Sequence, residues 1–450
     1  MKKRIAIGIA VMAMATIAVQ AATIKSLPGG GDWSATTTWS NGVVPGTVVG
    51  GADVVSIGTN STVTLNTSVA QPLGNVQVGQ GGAGALTINT GGSFGNGVKD
   101  INVGQNNVGT FIMNDGNVTN GGNFNVAGAV TTTEGSTATI NGGTMTNKAI
   151  NVGQNATGSL SVTGGRLLGS SLTVGDAGKG TFTMNTVNGG GSVINGGAFI
   201  IANTATAAGS TATISGGTIT NKAITVGKAA AGSLSVTGGQ LFGSSLTVGD
   251  AGKGTFTLSG AGSVTNAASF VIANALGSAG STATISGGTM KNGAVTVGKG
   301  ANGSLSMTGG NLLASSLSLG DTNNLFDGSA VLTGGTMELS SGNSLTINTA
   351  STLTIGDTGV LIWNGNRVAD IGNLVAVNDI IWSSGSSTLG LTYGLGDQTW
   401  ANGEYFLHAD YDATSLKTTV WADTIPEPAT IGMLGLGALI TLLFRRLGVS

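Results

Sequence analysis

Apolar residues alternate with hydroxyl residues in short runs along most of the chain. In one run Leu234 and Val236 point one way while Ser233, Ser235 and Thr237 point the other. Ile224 and Val226, Leu246 and Val248, and Phe256 and Leu258 repeat the pattern, each set against Ser, Thr or Ala. Side chains of an extended chain alternate between two faces, so this period of two predicts strands with one buried side. Pairs of glycines separate the runs at Gly142-Gly143, Gly164-Gly165, Gly216-Gly217, Gly238-Gly239, Gly287-Gly288 and Gly309-Gly310. Glycine accepts a positive φ without a Cβ clash, so these pairs are predicted corners.

The runs belong to a repeat. Residues 158–183 recur at 232–257 with only two differences in 26 positions, Arg166 against Gln240 and Leu168 against Phe242. A looser copy starts at Gly303, which makes the long period 74 and then 71 residues. A shorter period lies inside it. Apolar strand ends stand at Ile57, Val78, Val103, Val126, Val152, Val174, Ile201, Val226, Val248, Ile272, Val297 and Leu319, a mean step of about 24 residues. Three short steps make one long repeat.

Strands of four or five residues joined by glycine corners every 24 or so residues predict an all-β fold, a right-handed parallel β-helix of about 12 coils. One coil places five or six aliphatic side chains inside, too few to offset the entropy of ordering it. Coils must therefore stack and share a core. A β-sandwich or a propeller is the alternative, although propeller blades run about 40–45 residues and carry aromatic signatures absent here. Open ends of such a stack expose strand edges and need covers. The segment 22–56, with Trp33 and Trp39, is the expected N-terminal cap, and 57–359 carries the repeats. Residues 360–424 concentrate Trp363, Trp382, Tyr393, Trp400, Tyr405, Phe406, Tyr411 and Trp421. They read as a small C-terminal β cap or domain, with a sugar-stacking platform as the sharper alternative.

Both ends of the sequence carry targeting patterns. Lys2, Lys3 and Arg4 precede an apolar run from Ile5 to Val19 and then Gln20, Ala21 and Ala22. This describes a secretory signal peptide over 1–21 with cleavage after Ala21. At the other end Pro426, Glu427 and Pro428 precede an apolar run to Phe444 and then Arg445 and Arg446. That run predicts a marginal transmembrane helix, weakened by Gly432, Gly435 and Gly437, with the arginines on the cytoplasmic side. The order and spacing over 425–450 resemble the PEP-CTERM protein-sorting signal. The resemblance implies an exosortase as processing partner, acting near Pro426-Glu427-Pro428. It also implies a transient stay in the inner membrane, and then the cell envelope, outer surface or matrix of a Gram-negative bacterium that makes extracellular polysaccharide. The coil pattern, and the opening from Trp33 through Trp39 to Pro45, resemble the autotransporter-associated β-strand repeats of bacterial surface proteins. That resemblance implies a surface location and no activity.

Composition narrows the function. Charged residues make up 8% of the chain, against about 25% in an average globular protein. There are 81 glycines and no cysteine, so an exported chain must hold together by packing and hydrogen bonds. Net charge is −2, and loss of Lys2, Lys3 and Arg4 takes it to −5, which argues against nucleic acid as a partner. One histidine, His408, cannot build a zinc site without cysteine or a second histidine. Asp176, Asp250 and Asp321 recur once per three coils, about 14 Å apart along a stack. Paired carboxylates of glycosidases stand about 5–10 Å apart, so these read as solvated turn residues. No catalytic, cofactor or metal residue is therefore expected.

Thr137 and Thr139, Thr211 and Thr213, Thr282 and Thr284, with Thr181, Thr183, Thr255 and Thr257, would together make a neutral hydroxyl surface. Ordinary strand threonine, contact with polysaccharide, and ice binding are all open readings of it. The leading expectation is a non-enzymatic exported surface or matrix protein associated with exopolysaccharide or biofilm. A polysaccharide lyase or hydrolase on the same scaffold is one alternative. An adhesin or carbohydrate-binding protein with its tip in 360–424 is the other.

Overall fold

The computed structural model describes residues 22–47, 52–128, 135–185, 190–342, 344–386, 389, 393 and 396–424. The predicted signal peptide with Ala21, and the predicted transmembrane helix of 425–450, lie outside them. Among the described residues no helix is long and apolar enough to cross a membrane.

The chain winds into a parallel β-solenoid of about 13 turns with about 24 residues per turn. At about 4.8 Å per turn the rod is on the order of 60 Å long. Three ladders form its faces. The first runs from Thr23–Lys25 through Val54–Ile57 and Val76–Val78 to Leu345–Ile347. The second runs from Gly29–Asp32 through Ser61–Leu65 to Ile380–Ile381. The third runs from Ser93–Gly95 through Asn117–Thr119 to Val360–Asn364. Gly232–Val248 passes through all three faces as one 17-residue strand.

The twelve apolar positions from Ile57 to Leu319 form a single column on the first face. Ile57 pairs with Val78, Val78 with Val103, and so on without a slip to Val297 with Leu319. Parallel pairing starts at Thr23 and continues to Ile381, beyond the stretch 57–359 assigned to the repeats. A typical coil buries Leu234, Val236, Leu241, Leu246 and Val248, and one continuous core runs the length of the rod.

The glycine pairs are corners between the second and third faces. Gly165, Gly239 and Gly310 have φ of +67°, +68° and +73°. A Cβ on Gly239 would lie 2.6 Å from the backbone of Gly216 and Gly217, the corner of the coil before. Glycine is thus required twice here, for the left-handed turn and for the close stacking of corner on corner.

Both ends are covered. Residues 38–40 lie antiparallel along residues 25–27, which continue the strand Thr23–Lys25, with Leu27 N–H donating to Thr38 O at 2.8 Å and Ser40 N–H to Lys25 O at 2.9 Å. Trp33 and Trp39 plug the first coil, edge to face at 5.2 Å. At the far end Lys417–Thr424 adds to Val360–Asn364 in the antiparallel sense, followed by Tyr405–Asp412 and Gln398–Asn402. A nine-residue helix, Val368–Ala376, sits in this cap with Ile371 fully buried. The aromatic pattern of 360–424 predicts only β structure there. The signal for the helix was the spacing of Val368, Ile371, Leu374 and Val375, which is helical rather than alternating.

Candidate functional site

The surface of the rod is built by register. On the second face, Thr110, Thr137, Ser159, Thr181, Thr211, Ser233, Thr255, Thr282, Ser304, Ser329 and Thr352 stand in one outward column. Two residues along each strand, Thr139, Ser161, Thr183, Thr213, Ser235, Thr257, Thr284 and Ser306 form a second column, which ends where Val331 follows. Parallel geometry spaces these hydroxyls by about 4.8 Å along the rod and about 6.6 Å across it. Neither run contains a charged or aromatic side chain. The side chains are half-buried or exposed, while Leu160, Val162, Leu234 and Val236 of the same strands point inward.

The structure brings together the threonines marked in the sequence. It also interleaves Ser159, Ser161, Ser233, Ser235, Ser304 and Ser306, which the threonine pattern alone does not include. Their alternation with Leu and Val was visible. That they share a column with the threonines follows only from the pairing register.

The third face differs in kind. Its outward column reads Leu168, Ile194, Thr220, Phe242, Thr265, Lys291, Leu313 and Glu338. Both differences between the 26-residue copies, Arg166 against Gln240 and Leu168 against Phe242, fall on this face and point outward. The copies keep the hydroxyl face and vary its neighbour.

The turn aspartates are engaged in stacking. Asp176 Oδ1 accepts from Asn203 Nδ2 at 2.7 Å. Asp250 pairs with Lys228 Nζ at 2.5 Å and accepts from Asn274 Nδ2 at 2.8 Å. Burial raises the pKa of Asp250, but the hydrogen bonds and the charges of Lys228 and Lys299 outweigh it and hold the carboxyl below its ordinary range. Asp321 departs from the expected solvated turn residue. It is 8% exposed, and its carboxylate accepts the backbone N–H groups of Asn323, Leu325 and Phe326 at 3.1, 2.6 and 2.9 Å. Burial again acts upward, and these bonds bring the pKa down. Asp176 and Asp250 thus tie their turns to neighbouring coils, and Asp321 closes its own turn. Among the described residues no three His, Cys, Asp or Glu side chains come together as a metal site.

An asparagine ladder marks the edge between the second and third faces. Asn66 donates to Asp32, Asn89 to Asn66, Asn114 to Asn89 and Asn141 to Asn114, all at 2.9–3.0 Å. It links successive coils through side chains as the strands link them through backbone.

In the C-terminal cap three of the tryptophans are buried. Trp363, Trp382 and Trp421 are 3%, 8% and 0% exposed. His408 is buried against Trp421, with ring centroids 5.2 Å apart, and its Nδ1 lies 2.9 Å from Thr399 Oγ1. Arg367 covers the Trp363 ring at 5.6 Å and pairs with Asp370 at 3.1 Å. The faces of Trp363, Trp382 and Trp421 are thus occupied from within, whereas Trp400, Tyr405, Phe406 and Tyr411 are half-buried and Tyr393 is exposed.

Pro426, Glu427, Pro428, Arg445 and Arg446 lie beyond the described cap. Residues 424–446 match the family model of the PEP-CTERM protein-sorting motif. No curated protein and no solved structure matches the chain. The motif is the substrate signal for exosortase processing, and it indicates an exported protein that passes the membrane and reaches the cell envelope.

Proposed function

We propose that the protein is a non-enzymatic rod of the cell surface or extracellular matrix of a Gram-negative bacterium, associated through its second face with neutral regions of an exopolysaccharide. The observation behind this reading is the pair of outward hydroxyl columns. Each hydroxyl offers one donor and two acceptor positions, and none brings a charge. A single such bond exchanges with water for a net gain of about 1 kcal/mol, so affinity for a long glycan would come from many contacts along the rod. Asp176, Asp250 and Asp321, engaged at separate turns, fit a non-catalytic shaft.

The test is co-sedimentation of the rod with polysaccharide from its own host. Replacing Thr211, Thr213, Thr255, Thr257, Thr282 and Thr284 by Val keeps strand shape and removes hydroxyls. Retention should fall severalfold, while Gln240→Ala and Phe242→Ala on the third face leave it unchanged. Equal retention of both sets would overturn the assignment of the second face. Release of reducing ends or unsaturated products during the incubation would overturn the non-enzymatic reading.

A further inference from the structure

The strand that ends the cap also delivers the sorting motif. Lys417–Thr424 is a central strand. It pairs with Val360–Asn364 on one side and with all eight residues of Tyr405–Asp412 on the other, where the last pair is Tyr405 with Thr424. Past Trp421, where Val360–Asn364 stops, the segment 385–386 takes over that side. Ser386 N–H donates to Ala422 O at 3.2 Å, and a Cβ on Gly385 would sit 2.5 Å from the Asp423 carbonyl. The strand is therefore flanked up to the residue where the motif match begins. Only Ile425 stands between Thr424 and Pro426, two chain steps spanning at most about 7 Å.

We infer that the rod is held by its C-terminal end without a spacer, so that the C-terminal cap is the surface facing the membrane and the exosortase. The end plugged by Trp33 and Trp39 is then the distal tip. This rests on the reading that the sorting segment keeps the chain at the membrane. The geometry adds the rest: Thr424 ends the cap strand laid against the last coil strand, Val360–Asn364, and the first coils stand on the order of 50 Å further along the axis. Neutral outer columns on the second face give the rod no basic surface there with which to lie down on anionic lipid. Cleavage near Pro426 would leave in place every cap pairing among the described residues, the last of which is Tyr405 with Thr424.

The chain has no cysteine, so single substitutions label cleanly. Glu404→Cys lies in the exposed turn beside Tyr405 and Thr424, and Val98→Cys lies at an 83% exposed turn near the other end. The chain from Ala22 through the sorting segment, carrying a donor dye at either position, is reconstituted into phosphatidylethanolamine–phosphatidylglycerol vesicles with a headgroup acceptor. Energy transfer should be severalfold stronger from position 404 than from 98. A Gly/Ser insert of about 20 residues after Thr424, with a span of about 25 Å, should reduce transfer from 404. Equal transfer from both positions in vesicle-bound protein would overturn the orientation and leave the anchoring reading intact. Protein recovered wholly apart from the vesicles would overturn both.

Discussion

Phe256 and Phe270 meet edge to face inside the rod, with ring centroids 5.9 Å apart and planes at 73°. The same contact recurs at Phe182–Phe199 and Phe111–Phe124. In each case the first phenylalanine has an alanine as its partner on the following coil: Phe256 with Ala283, Phe182 with Ala212 and Phe111 with Ala138. The column therefore cycles Leu, Phe and Ala over three coils, from Leu86 to Leu305, and the small residue gives the ring room while the narrow core stays filled.

Truncating Phe256 to Ala should cost about 3–5 kcal/mol, since a buried ring is removed from a site walled by fixed coils. Ala283→Phe should cost about 1–3 kcal/mol by overpacking. Urea denaturation followed by circular dichroism measures both. A cost below that of a surface control such as Gln240→Ala would show that the layers repack freely.

Gly239→Ala and Gly403→Ala separate two roles of glycine. Both have positive φ, +68° and +62°, so each substitution carries a left-handed penalty of about 1–2 kcal/mol. At Gly403 nothing lies within 4 Å of the added carbon, whereas at Gly239 backbone stands at 2.6 Å. Thermal melts should show Gly239→Ala losing clearly more stability than Gly403→Ala.

Acid should weaken the rod through its turns. The carboxyls of Asp250 and Asp321 have lowered values in the folded state. The stability they contribute is complete above the unfolded value of about 3.9 and is lost as pH falls through the lower folded values. Asp321→Asn should flatten the acid limb of a plot of melting temperature against pH. Asp410 has the opposite sign, raised by burial and then by the charges of Asp397 and Asp412. Its ionised form opposes folding above the raised value, so Asp410→Asn should stabilise the cap at neutral pH.

Opening the cap should convert a closed rod into a sticky one. Val420→Pro removes a backbone donor from the strand between Val360–Asn364 and Tyr405–Asp412. The third ladder would then present a free edge, and light scattering should detect end-to-end association at concentrations where the parent rod stays dispersed.

The coil and its corners were legible because each rests on local chemistry. Leu234 and Val236 alternate with serine, and Gly238-Gly239 can turn where other residues cannot. The column from Ile57 to Leu319 could be counted before any pairing was known, since each coil contributes the same apolar strand end. The helix Val368–Ala376 was hidden by the aromatic strands around it, whose burial dominates the pattern of that region. Asp321 looked like a solvated turn residue because its three backbone partners lie within five positions of it, in a turn whose folding sequence spacing alone does not reveal.

The sequence by itself determined the period, the strand faces, the glycine corners and the sorting motif, because these depend on side-chain alternation, backbone freedom and short-range order. Only the tertiary structure decided which residues share a surface. Ser233 and Thr255 stand 22 positions apart and become neighbours through one rung of parallel pairing. Shifting that rung by a single residue would turn the hydroxyls into the core. Burial of Leu234 against Phe256 forbids the shift, and so the hydrophobic interior sets the register of the hydroxyl face outside it.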